Sequence, residues 1–262
     1  MNDRILKYPR THHIEGSGIQ AGDESLDVVS FGSLLGRHLV IEEKMDGANC
    51  AISFSEDGRL LLQSRGHYLT GGERERQFHL FKTWAYRFQG EFREVLADRY
   101  ILYGEWLYAK HTVFYTDLPH YFLEFDIFDR ETETFLDTVR RREFLRALPF
   151  VVSVKVPYAG GVAKPEDLTG WIGPSYFIGD DHILRLKLAC EARGMSFEQT
   201  LKETDNSRLM EGLYVKVEEE GIVQGRLKYV RSGFLQAVFD SQSHWIDRPL
   251  LPNELAPGVN LF

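Results

Sequence analysis

The pentapeptide Glu43-Lys44-Met45-Asp46-Gly47 closes an apolar stretch and places an amine just before a tight Asp-Gly turn. A lysine acts as a nucleophile only after losing its proton, and a free lysine titrates at about 10.4. Burial beside other cations or a metal ion lowers that value. A shift of about three units corresponds to roughly 4 kcal/mol of differential interaction. A strand-end lysine held by such a turn is suited to attack a phosphate. The pattern K-x-D-G also arises by accident, in roughly one chain of this size in fifteen at average residue frequencies. Lys44 alone does not define a site.

Further groups follow in order. Ser64-Arg65-Gly66 offers a guanidinium that can fork onto oxygen acceptors. Tyr103-Gly104-Glu105-Trp106 and Phe125-Asp126-Ile127 supply a carboxylate and an aromatic face. Glu211-Gly212-Leu213-Tyr214-Val215-Lys216 and Arg226-Leu227-Lys228-Tyr229-Val230-Arg231 bring an acid and several cations. Taken singly, each has a plainer reading. Phe125 could be a core aromatic, Arg65 and Glu105 solvated charges, and Glu211 with Lys216 a surface pair, which is usually worth little.

In this order the motifs resemble the covalent nucleotidyltransferases: DNA ligases, RNA ligases and mRNA capping enzymes. The resemblance runs from about residue 38 to 234. It implies that Lys44 attacks the α-phosphate of ATP, expels pyrophosphate and carries AMP through a P–N bond. Phosphoryl chemistry of this kind rests on positioning and charge stabilisation. By the same resemblance Lys216 and Lys228 contact the phosphates and help depress the Lys44 pKa. Glu43, Asn49 and Arg65 join the nucleotide site, with Arg65 on the ribose or an incoming 5′-phosphate. Glu105 holds a ribose hydroxyl, and Phe125 stacks on adenine. Glu211 is the expected holder of Mg²⁺ or Mn²⁺, hard ions that favour oxygen ligands. The fifth motif departs from the family pattern: its second cation is Arg231, displaced by one position, or Arg226. On a strand that displacement points a side chain to the other face.

Within the superfamily the chain is closest in pattern to ATP-dependent RNA ligases that seal nicks in duplex RNA, where an asparagine commonly stands at the place of Asn49. Asparagine is also a frequent turn residue. About thirty residues follow Lys228, too few for the OB-fold barrel that DNA ligases and capping enzymes carry there. The expected substrate is RNA, as ends or as a nicked duplex, with an end-healing kinase or phosphatase as a partner. Alternatives are a DNA nick-sealing ligase, a partner-dependent polynucleotide adenylyltransferase, and a non-catalytic nucleotide-binding protein.

These groups need strands and turns to hold them. Residues 38–66 read as short strands, with Asp57-Gly58 a hairpin signal. Residues 73–96 carry Phe81, Trp84, Ala85, Phe88, Phe92, Val95 and Leu96 at helical spacing, which predicts one apolar helical face. The stretches 100–108 and 121–129 are aromatic-rich strand candidates. Helices are expected over 138–148 and 181–193, with a capping box opening another at Ser196. Residues 157–179, rich in Gly and Pro, read as a long loop, and 211–231 as two strands. The expectation is one α+β domain over 1–262, a nucleotidyltransferase (ATP-grasp-like) domain of antiparallel sheets flanked by helices, with no C-terminal OB-fold.

Composition is compatible with this. The chain has 43% hydrophobic and 27% charged residues and a net charge of −8, which disfavours coating of nucleic acid by bulk electrostatics but allows a local basic groove. No apolar run is long enough for a membrane span, no secretion signal is evident, and two cysteines give neither a disulfide framework nor a metal site. Cytoplasm is the expected compartment. His111, in the segment 110–115, could line a phosphate path, and Arg140-Arg141-Arg142 could meet a nucleic-acid backbone, although a solvated helix face is the commoner reading of such a run.

Overall fold

A computed structural model describes residues 5–19, 23–241 and 248–262. Its strands, in chain order, are β1 (His12–Ile14), β2 (Val28–Val29), β3 (Leu39–Lys44), β4 (Ala48–Phe54), β5 (Leu60–Ser64), β6 (Tyr100–Trp106), β7 (Phe122–Asp129), β8 (Thr134–Phe135), β9 (Val152–Ser153), β10 (Tyr158–Gly160), β11 (Gly212–Glu219) and β12 (Ile222–Val230). The helices are α1 (His79–Arg87), α2 (Gln89–Leu96), α3 (Thr138–Leu145), α4 (Pro165–Thr169), α5 (His182–Glu191), α6 (Phe197–Lys202) and α7 (Ser232–Ser241). Among the described residues no helix is long and apolar enough to cross a membrane.

The strands form two sheets. One runs β10-β3-β11-β12-β1-β2 and the other β5-β4-β6-β7-β8, with β9 also pairing with β7. Pairing is antiparallel except where the short strands β1 and β9 join, so the α+β class expected from the sequence holds. In a strand successive side chains point to opposite faces, and each sheet uses that alternation to bury one face. On the first sheet Leu39, Ile41, Leu213, Val215, Val217 and Leu227 pack beneath Phe31, Leu34, Val162 and Leu168. On the second, Cys50, Ile52, Phe54, Leu102, Trp106 and Phe122 pack with Phe81, Trp84, Phe92 and Leu96.

The other two faces are polar and look at each other. Register places Lys44 opposite Gly212, Glu42 opposite Tyr214, and Lys216 opposite Arg226. Asn49 lies opposite Glu105 on the second sheet, and Tyr103 opposite Asp126. Where the sheets meet, Arg141 reaches from α3 to Glu42 at 2.6 Å and lies 3.5 Å from Glu124. Lys216 bonds Glu42 at 3.0 Å and Asp126 at 3.1 Å, and Arg226 bonds Asp126 at 2.9 Å. Three cations are thus matched by three carboxylates. Matching is what makes their burial tolerable, because an unpaired buried charge is costly.

Several expectations change. The helical face expected over 73–96 is built from three pieces, a 3-10 helix at Glu73–Phe78 followed by α1 and α2, because the chain leaves helical geometry at Phe78 and again at Phe88. Its apolar face is nonetheless the buried one. Residues 157–179 are not one loop: they contain the edge strand β10 and helix α4. Ser196 caps α6 by accepting from Gln199 N, but the Gln199 side chain bonds Glu203, so only half the capping box forms. Arg141 is fully buried and cannot meet a nucleic-acid backbone, whereas Arg140 and Arg142 are exposed. Part of the C-terminal stretch, 242–247, lies outside the described residues.

Arg141→Met strands Glu42 and Glu124 without their shared cation. Urea unfolding should register a loss of about 3–5 kcal/mol; an unchanged midpoint would contradict the charge-matching account.

Candidate active site

The site begins where the chain crosses between sheets. Lys44 is the last residue of β3 and Ala48 the first of β4, so Met45, Asp46 and Gly47 make the passage. Gly47 is required by space. A Cβ there would lie 2.8 Å from Trp106 O and 2.7 Å from the Leu107 side chain. Asp46 fastens the turn: its Oδ2 accepts from Thr112 N and Val113 N, both at 2.7 Å, and its own N–H donates to Tyr115 Oη at 2.8 Å.

Lys44 projects from this turn onto Glu211, with Nζ 2.7 Å from Oε1. Glu211 is buried, while Lys44 keeps 23% of its side chain accessible and so opens to the cleft. The next residue, Gly212, lets β11 run close to β12, where a Cβ would meet Tyr229 O at 2.0 Å. Burial works to lower the Lys44 pKa, but the carboxylates of Glu211, Glu105 and Asp46 outweigh it and hold the ammonium above its ordinary value. These acids outweigh the depression expected from Lys216 and Lys228. Burial also pushes the Glu105 carboxyl up to about 8, against the pull of Lys44 and Arg65.

The remaining residues divide. Asn49 and Glu105 pair across β4 and β6 and share a face. Asn49 Oδ1 is buried and has no hydrogen-bond partner in the protein. Phe125 is half-buried at a bulge, where Tyr103 faces Asp126 and Gly104 faces Glu124, so that Phe125 is skipped by the ladder. Such bulges re-aim a side chain. Arg65 is exposed just beyond β5. Lys228 lies close enough to feel both Lys44 and Glu211, and burial holds its pKa down.

Other residues stand elsewhere. Lys216 aligns with Val40, four residues along β3 from Lys44, which at the rise of a strand is about 13 Å. Its ammonium is taken by Glu42, Asp126 and the carbonyl of Phe125. Glu43 points away from Lys44, as its neighbour in a strand must. Its carboxylate accepts from Ser175 Oγ at 2.5 Å and Tyr176 N at 3.2 Å. Burial pushes that carboxyl up to about 7. Of the two cations considered for the fifth motif, Arg226 is paired with Asp126 and lies over the Phe135 ring, and Arg231 lies past the end of β12, bound to Asp205 and to Met210 O.

Two supports were not legible beforehand. The segment 110–115, expected to line a phosphate path, instead clamps Asp46 through its backbone, and His111 is buried with Nδ1 3.9 Å from Asp46 Oδ1. That segment is itself held by Asn253, whose side chain accepts from Tyr115 N at 3.0 Å and donates to Leu107 O at 2.7 Å. An asparagine between prolines near the C-terminus carries no signal of such a role.

Lys44 and Glu211, with Glu105 and Lys228, thus bring an amine, acids and a second cation together at one end of the space between the sheets, with an aromatic face deeper in. A family model described as RNA ligase matches residues 37–230. A mutant of the Naegleria gruberi RNA ligase solved with ATP and manganese superposes with a TM-score of 0.54 at 15% identity, covering 80% of this chain and 53% of that one. Another mutant of it, solved with AMP and manganese, gives 0.53 at 15% identity, over 80% of this chain and 54% of that one. This chain therefore spans about half the length of those it matches, and the likeness is one of fold. No curated protein sequence matches significantly.

The carboxylates' hold on Lys44 has a direct consequence. Glu211→Gln removes the nearest counter-charge while burial persists, so the pH midpoint for modification of Lys44 by an amine-reactive reagent should fall. A midpoint that stays or rises would contradict this electrostatic account.

Proposed function

The chain belongs to the RNA ligase family, and on that premise we propose that it is an ATP-dependent RNA ligase that carries AMP on Lys44. The observation that carries the reading is the Lys44–Glu211 contact at the mouth of the inter-sheet passage, with Glu105 and Lys228 beside it.

ATP fits these residues. The buried, unpartnered Asn49 Oδ1 awaits a donor from a ligand, Glu105 can take a ribose hydroxyl, and Phe125 offers a ring face for adenine. Lys228 supplies charge for the phosphates, and Arg65, exposed at the rim, suits a ribose or an incoming 5′-phosphate. Glu43 and Lys216 serve the nucleotide indirectly, the first through the strand that carries Lys44 and the second through the carbonyl of Phe125.

Among the described residues no group of three or more His, Cys, Asp or Glu forms a metal cage. That suits Mg²⁺ or Mn²⁺ held by Glu211 together with water and substrate phosphates. Such an ion would neutralise phosphate charge and take up the carboxylate that now keeps Lys44 protonated.

Lys44 Nζ, once deprotonated, attacks the α-phosphorus; the P–N bond forms as the bond to the pyrophosphate oxygen breaks. A terminal 5′-phosphate oxygen of RNA then attacks the same phosphorus and releases Lys44. Finally a 3′-OH attacks the activated 5′-phosphate, AMP leaves, and a phosphodiester is made. This chain acts as a nucleotidyltransferase domain in the cytoplasm, on ends that a kinase or phosphatase has made 5′-phosphorylated and 3′-hydroxylated. Asn49 and family membership support RNA over DNA.

Nicked duplexes with RNA or DNA at the 3′-OH side test this. With ATP and magnesium, AMP release should match the number of strands joined, RNA termini should seal faster, and Lys44→Ala should do neither. Equal sealing of all-DNA nicks would remove the RNA assignment, and joining by Lys44→Ala would remove the mechanism.

A further inference from the structure

Lys228 stands beside the nucleophile, yet its ammonium is bound to Asp23, on the segment between β1 and β2. The same carboxylate accepts from Arg10 Nη2 at 2.9 Å and lies 3.4 Å from His13 Nε2. Burial would raise the Asp23 pKa, but Lys228, Arg10 and His13 together hold it down at about 2. His13 is built in rather than incidental. It aligns with Lys228 across the parallel β1–β12 pair, its side chain is 1% exposed, and its Nδ1 lies 2.8 Å from Ser17 Oγ. Ser17 Oγ in turn accepts from Val230 N at 2.9 Å, which ties the arrangement to β12. Arg10 is half-exposed and leaves a side open to solvent.

Three nitrogen groups, from β1, from the segment before it and from β12, therefore converge on one carboxylate, next to the centre that must receive a triphosphate. Carboxylate and phosphate oxygens are recognised by the same charge-assisted hydrogen bonds. A protein that gathers these groups around its own acid has an anion seat occupied by an internal anion.

We propose that Arg10, His13 and Lys228 form the seat for the pyrophosphate portion of ATP, and that Asp23 is its internal stand-in, displaced when ATP binds. The inference rests on adenylylation at Lys44. In the forward step pyrophosphate departs from this seat with the electron pair of the broken P–O bond, and Lys44 gives up its proton to solvent. In reverse, a pyrophosphate oxygen attacks the α-phosphorus, the P–N bond breaks, and Lys44 regains a proton as ATP forms. Asp23 competes in both directions.

The reverse reaction isolates the seat. Protein carrying labelled AMP is mixed with magnesium and graded inorganic pyrophosphate, and loss of label is followed. Arg10→Gln and His13→Asn should each raise the half-maximal pyrophosphate concentration by about tenfold, the effect of losing one charge-assisted hydrogen bond. The rate at saturation should stay within about threefold. Asp23→Asn should shift the half-maximal concentration the opposite way. Opposite signs separate a seat and its competitor from general damage, which would weaken all three. Thermal unfolding checks each variant, and if buried His13→Asn does not fold, Arg10→Gln at its half-exposed position decides. An unchanged half-maximal concentration in Arg10→Gln, or a rise in Asp23→Asn, overturns the seat. A wild-type protein that takes no label would instead overturn the adenylylation reading beneath it.

Discussion

Met45, Asp46 and Gly47 must carry the chain from the last residue of one sheet to the first residue of the other, and the site depends on that short passage. It fixes how far apart the two polar faces can stand at this end, and it leaves Lys44 at the point where they separate. Gly47 keeps the backbone close to Trp106 and Leu107, and Asp46 spends its carboxylate on two backbone N–H groups of the 110–115 segment. Asn253 steadies that segment from behind. The aspartate of the K-x-D-G motif is thus first a structural clamp.

Two polar faces set against each other cannot be stabilised by apolar packing alone. Here the deeper part of the cleft is closed by Tyr8, Tyr103 and Phe135, and by the matched charges of Arg141, Lys216 and Arg226 with Glu42, Glu124 and Asp126. Charge matching is what holds this end together, because removing one partner leaves an uncompensated buried charge. Lys216 belongs to this network and donates to the carbonyl of Phe125, which links the charge lock to the aromatic face at the bulge. Near Lys44 the compensation is looser: an accessible ammonium faces several carboxylates, and Asn49 Oδ1 lacks a protein partner. The closed end holds the sheets, and the end where Lys44 is accessible is where a ligand can contribute.

Much of this was legible in the chain. Short apolar runs bounded by turns placed β3, β4 and β5, aromatic-rich runs placed β6 and β7, and alternation placed β11 and β12. Asp57-Gly58 formed its hairpin turn, with Gly58 at φ 79°. Motif order brought Lys44, Glu105 and Glu211 together although they are far apart in sequence. What stayed hidden was tertiary. Arg141 looked like a member of a solvated run, since nothing local says that one arginine of three will face Glu42. The carboxylate of Glu43 was placed with the nucleotide, but strand alternation sends it to Ser175 and Tyr176. The Lys44 pKa was expected to fall because cations were foreseen around it, whereas the nearest groups are acids. Asp23 and its three partners lie in a stretch whose strands are two and three residues long, too short to leave a periodic signal.

Adenylylation, as proposed, requires the amine of Lys44 to take AMP from ATP. Intact-mass spectrometry of AMP-free protein after incubation with ATP and magnesium, followed by peptide mapping under non-acidic conditions, reads it directly. The account predicts a mass gain of a single AMP group that maps to the peptide containing Lys44 and is lost on acid treatment, as a P–N bond requires. A protein of unchanged mass, or an adduct on any other residue, would contradict it.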